Sequence, residues 1–275
     1  MRKATLLSGT ARWTAAVRAK ESEREDRLYS DPWAAALAGR EGLQWIEKRK
    51  PDNLSSMILR TRFFDDFLRR IGEEHGIRQV VLPAAGLDTR AYRLSWPEGT
   101  RLFELDQPSV LREKERILRS AGAQPACARK AIGADLTGSW QDRLIRAGFD
   151  RGQPSGWLME GFLFYLSGAD LRKLLDQVAR LAAPGSWMGF DIINGDMLTS
   201  ALTRQWVEMQ ASSGAPWIGT LDDPAEFLAE RGWKATLSQA GQPDANHGRW
   251  PFPVVPTLMA NMPHNWFVTA RKEAT

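Results

Sequence analysis

In this 275-residue chain, the residue types best suited to chemistry gather in Leu82-Pro83-Ala84-Ala85-Gly86-Leu87-Asp88-Thr89-Arg90 and in Leu102-Phe103-Glu104-Leu105-Asp106. Small residues after an apolar run let a ligand approach the backbone. A carboxylate ending a second strand about 20 residues after the glycine can accept hydrogen bonds from ribose hydroxyls. Asp106 stands at that distance from Gly86, and two further carboxylates, Asp135 and Glu160, also close apolar stretches. The pattern reads as a nucleotide-cofactor site. A dinucleotide fingerprint requires three glycines, whereas Gly86 is followed by Leu87, Asp88 and Thr89. A carboxylate at Asp88 would also repel a pyrophosphate in a low-dielectric cleft. S-Adenosylmethionine (SAM) has a ribose and an adenine but no phosphate, and its sulfonium makes nearby carboxylates favourable. Those features point to methyl transfer.

Seven segments carry a family resemblance: Thr10-Ala11-Arg12-Trp13-Thr14-Ala15-Ala16, Asp31-Pro32-Trp33-Ala34, Arg60-Thr61-Arg62-Phe63-Phe64-Asp65, Ala85-Gly86-Leu87-Asp88-Thr89-Arg90, Glu104-Leu105-Asp106, Ala134-Asp135-Leu136 and Glu160-Gly161-Phe162-Leu163-Phe164-Tyr165-Leu166. Together they resemble the leucine carboxyl methyltransferase-like branch of class I SAM-dependent methyltransferases, including its bacterial natural-product O-methyltransferases. The resemblance implies SAM as cofactor and S-adenosylhomocysteine as product. It implies that Arg60 clamps the methionyl carboxylate, that Ala85, Gly86 and Asp88 form the cofactor loop, and that Asp106 holds the ribose. Asp135 would accept from the adenine amino group, Leu136 would offer its amide to a ring nitrogen, Glu160 would face the ammonium, and Tyr165 would lie near the acceptor. The family often has glycine where this chain has Ala84; the methyl is tolerated there if φ is negative.

Structural roles compete for several of these residues. Arg60 could be a surface charge on a helix, Asp135 a helix N-cap, and Tyr165 a core tyrosine. Glu104 and Asp106 share a strand face, and Asp106 is preferred because it sits nearer the carboxyl end.

A carboxylate acceptor is ionised at neutral pH and needs no base, which favours it, while a hydroxyl acceptor of higher pKa would gain from one. Of the three histidines, His75 ends a helix, and His247 and His264 are the candidate bases. Two alternatives remain: an NAD(P)-dependent oxidoreductase on a similar sheet, and a non-catalytic SAM-binding protein. No G-x-S-x-G elbow or metal-ligand spacing is present, and the single Cys127 precludes an internal disulfide.

To position these residues, the chain must alternate strands and helices. Short apolar runs predict strands near 79–84, 101–105, 128–133, 155–160 and 186–193, with closing strands at Trp233–Leu237 and Trp266–Ala270. The clearest helix, near 168–182, places Leu171, Leu174, Leu175, Val178 and Leu181 on one face, behind a Ser167/Asp170 capping pair. Others are expected at Asn53–His75, near 197–211 and near 223–231. This predicts one α/β domain over 1–275: a helical cap and lead-in helix (1–77), then a doubly wound, mostly parallel, seven-stranded Rossmann-like sheet (78–275) with a late loop at 241–263.

The net charge of +4 is spread among interleaved acids, and Lys48-Arg49-Lys50 is too short a basic run for a nucleic-acid patch. No stretch approaches the about 18 apolar residues of a membrane span. A cytoplasmic protein with a small-molecule acceptor and neither nucleic-acid nor membrane partners is expected. The 12 tryptophans, among them Trp13, Trp45, Trp217 and Trp250, read first as packing between cap and core, and alternatively as walls for a flat, greasy acceptor.

Overall fold

The computed structural model describes residues 2–49, 54–257, 259 and 261–274, with backbone alone for 2–8. Asn53 and Lys50, named in the sequence expectations, lie outside them. The strands are β1 (Gln79–Pro83), β2 (Arg101–Asp106), β3 (Ala128–Gly133), β4 (Gly156–Met159), β5 (Trp187–Ile193), β6 (Trp233–Ser238) and β7 (Asn265–Lys272). They form one sheet in the order β3-β2-β1-β4-β5-β7-β6. Strands β1 to β5 pair in parallel, and β7 runs antiparallel between β5 and β6. Because β1 lies between β2 and β4, the winding reverses there, and the carboxyl ends of β1 and β4 flank the crevice where such sheets bind ligands.

Alternation along β1 explains why both faces are covered. Val80 and Leu82 face Leu59, Phe64, Phe67, Leu68 and Ile71 of helix α3 (Ser55–Glu73), together with the N-terminal helices α1 (Arg2–Ser22) and α2 (Ala34–Glu47). Val81 faces the opposite core, built on helix α7 (Gly168–Leu181) through Leu171, Leu174, Leu175 and Val178. Burying each such aliphatic side chain contributes about 1.5–3 kcal/mol, so the two helices clamp the sheet at its centre. As expected for α7, the Ser167 hydroxyl oxygen accepts the Asp170 N–H at 3.2 Å. Arg60 lies on the buried stripe of α3 with 8% of its surface exposed, so it is not a surface charge.

Between the strands stand α4 (Arg90–Arg93), α5 (Pro108–Ser120) and α6 (Gln141–Arg146). The helix expected near 197–211 is broken into α8 (Asp196–Thr199) and α9 (Arg204–Ser212). Local side-chain bonding explains the break: the Thr203 hydroxyl donates to the Met197 carbonyl at 2.7 Å, and the Ser200 hydroxyl accepts the Leu202 N–H at 3.2 Å. Helix α10 (Pro224–Ala229) leads into β6. The late segment from β6 to β7 contains no helix or strand among its described residues. No helix among the described residues is long and apolar enough to cross a membrane.

Candidate active site

Beyond the carboxyl ends of β1 and β4 lies a cavity of about 800 Å³, walled by α1, α3, the strand-end turns and the late loop. The turn after β1 opens it. Ala84 and Gly86 both have positive φ, at 57° and 47°. The condition of a negative φ at Ala84 is not met: the alanine is left-handed, at a cost of about 1–2 kcal/mol for an L-residue. At Gly86 a Cβ would meet nothing closer than 3.7 Å, so φ rather than crowding calls for glycine there.

The Gly86 N–H donates to Asp106 Oδ2 at 2.7 Å, and the Gln107 N–H to Asp106 Oδ1 at 2.6 Å. Each oxygen retains acceptor capacity. Burial pushes the Asp106 carboxyl up against these two bonds. Glu104 is fully buried and bound to Lys114 and Arg129 at 2.7 and 2.8 Å. Of the two candidates, only Asp106 lines the cavity.

Arginines dominate the floor. Arg90 donates from Nε to Asp65 at 2.7 Å, pairs with Asp88 through Nη1, and reaches Glu160 from Nη2 at 2.7 Å. Arg60 donates from Nε to Glu160 at 3.0 Å and from Nη1 to Asp191 at 2.8 Å, while Arg93 holds Asp65 at 2.5 Å. Three guanidiniums face four carboxylates, leaving a net charge of minus one. Burial would raise the Asp88 carboxyl, but Arg90, Lys114 and Arg93 outweigh it and hold it at about 2. Burial likewise opposes ionisation of Glu160, and Arg90 and Arg60 bring it below the usual range. At Asp191 burial prevails and the carboxyl is pushed up. Gly161 has φ 67°, and a Cβ on it would lie 3.1 Å from Arg60 Nη2, so the glycine lets Arg60 reach the cavity floor. A second buried pair fixes the cap to the loop: Arg18 donates to Asp31 at 2.8 Å and to the Leu87 carbonyl at 2.7 Å, and the Thr89 hydroxyl donates to Asp31 at 2.5 Å.

All eight expected cofactor residues line this cavity, as does Tyr165. Asp135 is not a helix N-cap; it accepts the Thr137 N–H and hydroxyl at 3.0 and 2.8 Å, and these bonds hold its carboxyl below the ordinary range. Tyr165 ends the 3₁₀ turn Leu163–Tyr165, and burial pushes its phenol up. Neither candidate base lines the cavity: His247 is exposed in the late loop, and His264 is buried. His264 Nδ1 lies 3.0 Å from Gln239 Oε1, its ring stacks on Trp266, and burial lowers its pKa. Trp13, Trp45, Trp217 and Trp250 all line the cavity, and Trp45, Trp217 and Trp250 also pack against the buried core as first expected. Trp13 and Trp45 also stack on each other at 4.9 Å.

Sequence reasoning gave no role to Asp65, Arg93 or Asp191. Asp191 had a legible signal, being the one charge in the apolar strand Trp187-Met188-Gly189-Phe190-Asp191-Ile192-Ile193.

The pattern of the leucine carboxyl methyltransferase family matches residues 11–179. A Parafrankia sp. protein, provisionally named an S-adenosyl-L-methionine-dependent methyltransferase, is 42% identical over 244 residues, spanning 82% of this chain and 76% of the relative. A provisionally named methyltransferase of the same kind from Streptomyces coelicolor is 37% identical over 251 residues, covering 87% of both chains. Among solved structures, a DUF574 family protein from Streptomyces avermitilis superposes with a TM-score of 0.64 at 16% identity, covering 94% of this chain and 96% of that one. A Thermobifida fusca protein provisionally titled a methyltransferase gives 0.61 at 19%, covering 96% and 94%. At these identities the structural likeness is one of fold.

Proposed function

The chain belongs to the leucine carboxyl methyltransferase family and is a SAM-dependent methyltransferase; from that premise we propose that it methylates an oxygen of a small-molecule acceptor. The observation that supports the cofactor side of this reading is the surplus of negative charge beside the Gly86–Asp106 turn. A cofactor bearing a sulfonium and an ammonium suits such a surplus, whereas the ionised Asp88 would repel the pyrophosphate of a dinucleotide. The residues present therefore fit SAM.

In this reading Asp106 uses its remaining lone pairs for the ribose hydroxyls. Asp135 and Leu136 meet the adenine, Glu160 and Asp88 face the ammonium, and the Nη2 edge of Arg60 meets the methionyl carboxylate. Tyr165 sits between the floor and the acceptor. When bound, the cofactor supplies a methyl group already activated by its sulfonium. The chain's own work is then positioning, with oxygen and methyl held in line. His247 and His264 both lie off the cavity wall, so neither is placed to act as a base on the acceptor.

Isothermal titration of the folded protein with SAM and S-adenosylhomocysteine tests this. Micromolar binding is expected in the wild type, weakened about 10- to 100-fold in Asp106→Ala. A folded wild-type protein that binds neither compound would overturn the assignment.

A further inference from the structure

The cavity is divided by charge. Every charged residue among its described lining comes from α1, α3 or the segment 88–160; from Gly161 onward, no described lining residue carries a charge. That later half is built instead of Phe164, Trp206, Trp217, Trp250 and Phe252, with Trp13 and Trp45 closing it from the cap. Phe164 and Trp217 lie 5.1 Å apart, and Trp206 and Trp217 6.4 Å apart, so the rings form continuous walls. The polar side chains among them, such as Gln210 and Asn265, are neutral. At the mouth, Leu202, Ile218 and Phe252 line the same cavity while 76%, 50% and 47% exposed. Apolar groups left open at the rim of a cleft mark a surface that a ligand covers.

We infer that the acceptor is an uncharged, fused-ring aromatic molecule that presents a hydroxyl to the junction beside Tyr165. This rests on the methyltransfer reading above and narrows its acceptor class. Flat ring systems match the aromatic walls in shape and quadrupole. An anionic group buried in the later half would find no cationic side chain among the described lining residues there, and burying an unpaired charge is strongly unfavourable. In the net reaction the acceptor O–H bond gives way to an O–CH₃ bond, the proton leaves to water at the mouth, and the S–CH₃ bond breaks with its electron pair remaining on sulfur.

Two probes share one ring system and differ in charge: 2-naphthol and 2-naphthoate. Their affinities are measured by calorimetry on the full chain saturated with S-adenosylhomocysteine, whose own binding is measured first. The expected result is 2-naphthol at least about tenfold tighter than 2-naphthoate. Trp217→Ala should weaken 2-naphthol about fivefold with S-adenosylhomocysteine affinity unchanged, and Gln210→Lys should shift the preference toward 2-naphthoate by about tenfold. Equal or tighter binding of 2-naphthoate overturns the inference, as does failure of both probes on protein that binds S-adenosylhomocysteine. Failure to bind S-adenosylhomocysteine would instead overturn the methyltransfer reading and this inference with it.

Discussion

The two halves of the cavity are assembled from different kinds of interaction. On the strand-end side, Arg60, Arg90 and Arg93 are each fixed by two or more carboxylate contacts, and the turn itself is tied to Asp106 and Arg18. Beyond Gly161 the wall is held by ring contacts and by a late loop without helix or strand in its described part. Hydrogen-bonded charges in a buried setting fix atoms to definite positions, as a cofactor of constant shape requires. Aromatic surfaces resist sliding only weakly, which suits the acceptor side of the proposed reaction. In the first half, the residues that stabilise the fold are the ones proposed to bind the cofactor, whereas the second half is expected to change with little effect on the fold.

The comparison breaks hardest at Arg90. Arg90→Ala removes one cation from Asp65, Asp88 and Glu160 together, and stability should fall by about 3–5 kcal/mol, read as a lower urea midpoint with cofactor binding lost. Arg90→Lys should recover only part, because an ammonium does not reproduce the guanidinium fork. If Arg90→Ala were as stable as the wild type, the strand-end half would not be the rigid one.

Acid should expose the same asymmetry. Asp88 is held at about 2 in the folded protein, against about 3.9 in an unfolded chain, so its contribution of about 2–3 kcal/mol is complete only above about pH 5 and is lost as the pH falls through 2. Urea midpoints measured from pH 5 to 2 should fall, and Asp88→Asn should flatten that descent. The raised carboxyls of Asp106 and Asp191 run in the opposite sense, so the slope specific to Asp88 is read from the variant rather than from the wild type alone.

A smaller effect sharpens the contrast within the strand-end half. Ala84→Gly relieves the left-handed alanine and should stabilise the protein by about 1 kcal/mol, visible as a higher thermal midpoint. An unchanged or lower midpoint would mean that the turn accommodates alanine without strain. Smallest of all should be Phe252→Ser at the rim of the later half: stability within about 0.5 kcal/mol of wild type, with weaker binding of the aromatic probe. A large loss of stability there would erase the distinction between the halves.

The order of strands and helices was legible because periodicity is local. The runs at 79–84 and 128–133 and the 3.6-residue stripe of α7 each carry their signal within one element. Where local side-chain competition prevailed, at Ser200 and Thr203, the expected single helix became two. The backbone at Ala84 was also illegible, since alanine by type gives no sign of positive φ; the turn, held by the Gly86–Asp106 bond, settles it.

By itself, the sequence determined the alternating fold, the glycine-to-carboxylate spacing and the turn after β1 that opens on the cavity, because each depends on neighbours within one strand–helix unit. Only the tertiary structure decided which carboxylates the arginines engage, that His247 and His264 lie off the cavity wall, and that tryptophans scattered from Trp13 to Trp250 meet in one chamber. The physical reason is range. Arg60 finds Asp191 across 131 residues of chain, and a contact of that separation is set by how the packed elements meet rather than by any pattern within one of them.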